Sequence, residues 1–457
     1  MNKSDKKHIT IVGGGIAGSF LALLFADRGY SVDLYEQLSK SDICDTNSKR
    51  SYNITLYRYG IDMLKRANLW DDLKTSLIPL YQSATQLARD TEPVIAPIDH
   101  KKMQYYSLAR SGLLTILLNK ADKNPLIKTY YETTVVSIDR YAKTMLTKDN
   151  KTKKITQITC SVIFAADGVN SIIRPWLQQG RESSHSQDYA QWSYKQFLIS
   201  KKWVEEMQLK SNTAYTWSRK NGCVTSFPNP DGALACMLVL PRGKEGFSSI
   251  QSHKDVKALF TKEFPNLLPL IDDISEQLFE NPEGGFVTVH TDPWYYKDFI
   301  ALVGDAAHGF YPFFGQGTSA AFGDSLQIVE LVDTYGPDWE KIFPLYQEKR
   351  KANMDTLGEV SRIGFQKYLR NKRADRSTVY DQVEIMMHKV FPNLVNPPLY
   401  HQVITDPDNT AHHMSLHTQQ RKKAKLVGME LLVSLLTGGI FVQEASTKIA
   451  KKILRKS

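Results

Sequence analysis

The chain of 457 residues has only four cysteines, Cys44, Cys160, Cys223 and Cys236, all far apart. No pair has C-x-x-C spacing, which excludes the usual zinc and thiol redox motifs, and no metal site is expected. Scattered thiols fit a reducing compartment. No signal peptide precedes the first apolar strand, so the chain reads as cytoplasmic. Internal repeats and low-complexity segments are absent. No apolar run reaches the roughly 20 residues that span a bilayer. Residues 426–442 come nearest, with 17 residues interrupted by Glu430. At 42% apolar and 23% charged residues the composition is globular, which excludes long disorder and disulfide scaffolds. At roughly 150 residues per domain, the length suggests two or three domains.

A net charge of +10 invites a nucleic-acid reading, but its distribution argues against one. Residues 421–457 hold nine Lys and Arg against Glu430 and Glu444, a surplus of seven. The remaining body is close to neutral and carries no zinc-finger or RNA-recognition signature, so no nucleic-acid partner is expected. Segment 426–457 has two readings. One is a helix packed on the body. The other is peripheral contact with an anionic membrane, with Ile449, Ile453 and Leu454 sharing a face opposite lysines. Nothing in the residues sets an oligomeric state.

Chemistry is carried by three motifs. The apolar run 8–12 leads into Gly13-x-Gly15-x-x-Gly18, a helical pattern follows to Arg28, and a second strand ends at Glu36. Gly13 permits a tight turn, Gly15 lets backbone approach a pyrophosphate, and Gly18 allows close helix–strand packing. The helix start at Ile16 and Ala17 offers free N–H groups, and Glu36 can accept both ribose hydroxyls of an adenosine. The second motif, Asp167-Gly168 with Ser171 and Arg174, follows the strand pattern 162–166. In the third, Gly304-Asp305-Ala306-Ala307-His308 precedes Pro312 and Gly315-Gln316-Gly317. Asp305 ends a buried strand and can bond a ribityl hydroxyl. The Gly-Gln-Gly turn opens a helix whose N-terminus suits an edge that gains negative charge. His308 reads either as a catalytic base or as a structural histidine beside Asp305.

The pattern predicts an α/β protein with a Rossmann-like domain from 1–187 and 291–350, with 75–105 contributing to the substrate side. A mostly antiparallel sheet over 188–290 is inserted into it, and 351–457 form a helical C-terminal region.

In this order and spacing, the motifs over residues 8–350 resemble the class A FAD-dependent aromatic hydroxylases. Arg50-Ser51-Tyr52-Asn53-Ile54, Ser107-Leu108-Ala109-Arg110, 312–317 and Pro398-Leu399-Tyr400 are similar to the kynurenine 3-monooxygenases among them. The resemblance implies FAD, NADPH or NADH as transient reductant, O2, and oxygen transfer to a small aromatic substrate through a C4a-hydroperoxyflavin. It places Gly13, Gly15, Ile16, Ala17, Gly18, Glu36, Arg50, Arg110, Asp167, Gly168, Asp305, Pro312, Gly315, Gln316, Gly317, Thr318 and Ser319 at the cofactor. Phe314, Gln316 and Tyr400 would orient the substrate. A single dinucleotide fingerprint agrees with a reductant that docks transiently.

The substrate half departs from that family. Its carboxylate-clamping Arg falls at Ser83 or Ala84 and its Tyr at Ile98. A helix Asn falls at Gly364, a pocket Phe at Leu234, and Met-Asn at Thr318-Ser319. Arg89, His100 or Lys101 could replace the missing cation, or they are solvated surface. The motifs also serve a tailoring oxidase or epoxidase acting on a larger natural product. A flavin-binding membrane or interaction protein without turnover is the third reading.

Overall fold

The computed structural model describes residues 7–45, 53–178, 183–369, 384–385, 388–389, 392–393 and 395–422. The chain forms two compact units, residues 1–371 and 372–457.

The first unit is built on a six-stranded sheet in the order Tyr295–Tyr296, Ile300–Leu302, Ile163–Ala165, His8–Val12, Ser31–Tyr35, Ile127–Tyr130. All pairings are parallel except that of Tyr295–Tyr296. Parallel strands covered on both faces need continuous apolar runs. Ile163, Phe164, Ala165, Ile300, Ala301 and Leu302 meet that need, each fully buried. The Ile16–Ala26 helix buries nine of its eleven residues, because it lies between the sheet and the Gly317–Tyr335 helix. Phe20 and Phe322 join these helices at a ring separation of 4.3 Å. Each such buried large side chain contributes about 1.5–3 kcal/mol. The Arg110–Lys123 helix buries Leu113, Leu114, Leu117, Leu118 and Ala121 along one stripe and keeps Lys120 and Lys123 at its end.

A second, seven-stranded sheet has the order Gly284–Asp292, Ser184–Ile199, Leu234–Pro241, Gly222–Pro228, Thr213–Arg219, Gln82–Gln86, Val94–Pro97. Only Thr213–Arg219 with Gln82–Gln86 pairs parallel. Strand alternation gives this sheet two faces. Phe197, Val224, Leu234, Cys236 and Leu238 face one way, in a core with Val256 and Phe260 of the His253–Glu263 helix and Ile274 and Leu278 of Ile271–Glu280. Cys223 and Val239 face the other way and pack with Tyr311 and Phe365. The Trp339–Leu369 helix, which carries Phe365, runs unbroken through position 351, where the sequence pattern placed a boundary.

In the second unit, Leu399–Thr405 forms a helix that buries Gln402, Val403 and Ile404. No helix among the described residues is long and apolar enough to cross a membrane. Segment 426–457 lies outside the described residues.

Candidate active site

Parallel strands end at one edge, so the motifs that follow them meet there. Gly13 leaves the His8–Val12 strand at φ +104°, and a Cβ on it would overlap the Ala166 carbonyl oxygen. A Cβ on Gly18 would overlap the Gly13 carbonyl oxygen. The first and second motifs therefore touch through backbone, and only glycine fits at these two positions. Gly15 differs: a Cβ there would meet nothing within 4 Å. Ser19 N–H is the first to bond within the Ile16–Ala26 helix, to Gly15 O, so those of Ile16, Ala17 and Gly18 have no acceptor within the helix. Glu36 is buried, with its oxygens accepting from Gly14 N and Leu38 N, both at 2.8 Å. Each oxygen keeps a second lone pair for a ribose hydroxyl.

The third motif docks on the first: a Cβ at Gly304 would lie 3.1 Å from Ala17 Cβ and 3.4 Å from Ala321 Cβ. Arg174 is buried and clamps the second motif to the third. Its guanidinium donates to Ala306 O at 2.8 Å and Val169 O at 2.7 Å, and burial lowers its pKa. Asp167 Oδ2 accepts from Ile172 N at 2.9 Å, whereas buried Oδ1 has no protein partner. Burial raises the Asp167 carboxyl. Asp305 is open to solvent on one side and walled by protein on the others. Burial raises its carboxyl, opposed by His308 and Arg110, so these three side chains lie within electrostatic reach.

His308 is structural, and its partner is Asp324 rather than Asp305. Its Nε2 lies 2.6 Å from Asp324 Oδ2, Arg350 Nε donates to Asp324 Oδ1 at 2.8 Å, and Gly304 N donates to Oδ2 at 3.0 Å. His308, Asp324 and Arg350 are all nearly fully buried. Burial alone would raise the Asp324 carboxyl, but His308 and Arg350 outweigh it and hold it down at about 2. Sequence reasoning missed Asp324 and Arg350. The available signal was an acidic residue directly after the small and apolar run Ala320-Ala321-Phe322-Gly323.

Gly315 turns the chain at φ +63° against Thr55, and the Gly317–Tyr335 helix begins two residues later. Ala320 N is bonded to Gln316 O, so Gly317, Thr318 and Ser319 present N–H groups without helical acceptors. A Cβ at Gly317 would meet nothing within 4 Å. The Ser319 side chain is buried toward Gly60, so only its backbone faces the helix start. Pro312 is exposed, while Phe314 and Gln316 are buried at 4% and 0% exposure. Phe314 packs edge-on against Phe313 at 4.9 Å. Arg50 lies outside the described residues. Tyr400 stands in the second unit, 37% exposed.

The residues present fit FAD. Open space lies above Gly15, Gly168 and Gly317, two helix starts point free N–H groups outward, and a buried Asp167 oxygen lacks a partner.

In the seven-stranded sheet, Ser83 lies on the face shared with Val239, and Ala84 on the buried opposite face. Leu234, expected in the pocket, is buried in the core against the helices, because strand alternation turns it away from Tyr311 and Phe365. A Cβ at Gly364 would overlap the Phe313 ring. Arg89 is exposed beside Asp90, and Lys101 is exposed. His100 packs edge-on against Tyr81 and Tyr106, with its Nδ1 buried and unpartnered.

The glycine-turn sheet edge, the strand-end carboxylates Asp167 and Asp305 and the two-faced antiparallel sheet together make a flavoprotein hydroxylase architecture. The FAD binding domain family matches residues 6–333. Kynurenine 3-monooxygenase of Legionella pneumophila (strain Corby) is 33% identical over 382 residues, 83% of this chain and 84% of the relative. That of Dictyostelium discoideum is 31% identical over 368 residues, 78% and 79% of the two chains. Among solved structures, 2-methyl-3-hydroxypyridine-5-carboxylic acid oxygenase superposes with a TM-score of 0.67 at 18% identity, covering 80% of this chain and 93% of that one. Klebsiella pneumoniae HpxO, complexed with FAD and uric acid, gives 0.67 at 17% identity, covering 89% and 97%. Identities this low show the fold alone. The chain belongs to the FAD binding domain family and, within it, to the kynurenine 3-monooxygenase family. It is an FAD-dependent aromatic monooxygenase.

Proposed function

We propose that the protein hydroxylates a small, electron-rich aromatic substrate at the expense of NAD(P)H and O2. One observation carries the reading: Gly15, Glu36, Asp167, Asp305 and the Gly317–Ser319 backbone converge at one sheet edge beside a half-open sheet face. Ile16, Ala17 and Gly18 N–H groups would hold a pyrophosphate, Glu36 a ribose, and Asp305 with Arg110 the ribityl chain. The Gly317, Thr318 and Ser319 N–H groups would stabilise negative charge on the reduced pyrimidine edge. Bound FAD supplies the hydride acceptor and the site of O2 activation. Phe313 and Tyr311 pack with the apolar sheet face and exclude water from the reacting ring. Phe314 and Gln316 form the wall behind them. Phenols and anilines suit this chemistry because oxygen or nitrogen pushes electron density to the ortho carbon. On the same reading the basic 426–457 segment meets an anionic membrane surface, which sedimentation with anionic vesicles tests.

The main test is flavin reduction by NADPH, followed by stopped flow with and without an aromatic ligand such as L-kynurenine, with product mass measured alongside. Accelerated reduction and a product heavier by one oxygen atom are expected from at least one aromatic. A protein that holds FAD, consumes NADPH and hydroxylates none of a phenol and aniline panel refutes the reading.

A further inference from the structure

The sheet face toward Tyr311 and Phe313 is neutral where a ligand would lie on it. Cys223 pairs with Val239 on this face, and Met237 packs against the same cluster. Met237 pairs with Thr225 on one side and Gln196 on the other, Thr225 with Thr216, and Thr216 with Thr85. Paired side chains share a face, so Thr85, Thr216, Thr225, Met237 and Gln196 form one row across the sheet. The three threonines and Met237 are half-buried, whereas Trp217, Val224, Ser226, Cys236 and Leu238 on the reverse face are buried. This face is the open one. Gln196 is 8% exposed, and its Nε2 is buried without a hydrogen-bond partner. A buried amide N–H2 left unbonded is costly, so something supplies its acceptor.

We propose that this row receives the polar end of the substrate and that this end is uncharged: an aromatic amide, alcohol or ketone rather than an aromatic carboxylate. This rests on the monooxygenase reading above and names its substrate class. Hydroxyls and a carboxamide both donate and accept, as an amide or alcohol does. A carboxylate on this row would give up its water for neutral groups, with no cation in the row to offset that loss. Arg362, on the helix that carries Phe365, is already held in a fork by Glu359 at 2.9 and 2.7 Å.

The test uses the FAD-loaded full chain and two matched pairs, 4-(2-aminophenyl)-4-oxobutanoate with its primary amide, and 2-aminobenzoate with 2-aminobenzamide. Perturbation of the flavin absorbance gives each Kd, and product mass reports hydroxylation. At least one amide binds about tenfold or more tightly than its acid. Thr225→Val weakens that amide by about three- to tenfold and leaves the acid unchanged, and Thr225→Ser restores it. If in both pairs the acid binds as tightly as its amide, the neutral row is overturned and the monooxygenase left standing. Failure of all four ligands to perturb the flavin also overturns it. Binding without hydroxylated product from any aromatic tried overturns the monooxygenase reading and this inference with it.

Discussion

Asp324→Asn tests whether the buried triad holds the flavin edge in place. The carboxylate takes donors from His308 at 2.6 Å, Arg350 at 2.8 Å and Gly304 N at 3.0 Å, with no solvent to replace it. Asparagine removes the charge, leaves Arg350 buried without its counter-ion, and turns an N–H2 toward one of the donors. Breaking a buried pair from one side costs about 3–5 kcal/mol. At ~2.1 cal/mol/K per residue, a unit of roughly 371 residues has an unfolding entropy near 0.8 kcal/mol/K, so Tm should fall by about 4–6 °C. The pH dependence has a definite sign. The folded carboxyl lies below its ordinary value, at about 2, so its stabilisation is present above pH ~4 and is lost as pH falls from ~4 toward 2. The gap in Tm between wild type and variant should narrow over that window. Asp324 also anchors Gly304 N, so purified Asp324→Asn should carry less FAD. Adding Arg350→Met should recover part of the loss, since no charge is then stranded. A variant within 1 °C of wild type at neutral pH, with full FAD content, would refute the reasoning.

Gly15→Ala places a Cβ in open space at an ordinary backbone conformation, so the apoprotein's Tm should change by less than about 1 °C. FAD affinity, measured by fluorescence titration, should nevertheless fall at least tenfold. Gly18→Ala should instead cost about 3 kcal/mol or more in urea unfolding of the apoprotein, because its Cβ overlaps the Gly13 carbonyl. Gly364→Asn should displace the Phe313 ring, cost about 1–3 kcal/mol in the same assay and shift the flavin spectrum of the ligand complex. Thiol labelling of the native protein should reach Cys44 first. Burial pushes Cys160 up to about 11 and Cys223 up to about 12, and raises Cys236 further, so these three should label only on unfolding.

The cofactor half of the site was legible because its requirements are local. Gly13, Gly15 and Gly18 are needed within one turn, and Asp167 and Asp305 each end a strand whose apolar run is visible without any partner. The pattern 223–240 likewise announced an antiparallel sheet. Local pattern failed where a residue's meaning depends on a distant neighbour. His308 sits three residues from Asp305, yet its bond is to Asp324, one element further along. Leu234 and Ala235 are adjacent, and the pleat sends them to opposite faces. On a strand, a one-residue shift exchanges pocket for core, so adjacent positions carry opposite meanings.

The sequence alone determined the class: strand, glycine turn and helix at fixed spacing, repeated by two further strand-end motifs, specify a flavin-binding α/β chain. These signals are short-range, because steric limits on the turn and the free N–H groups of a helix start act within a few residues. Tertiary structure decided which charges neutralise one another and which sheet face is open. The Asp324 triad draws on three positions up to 42 residues apart in the chain. The neutral row draws on five strands whose order no single strand encodes. Burial and pairing are properties of the assembled sheet, so the substrate half of the enzyme became readable only when the strands lay side by side.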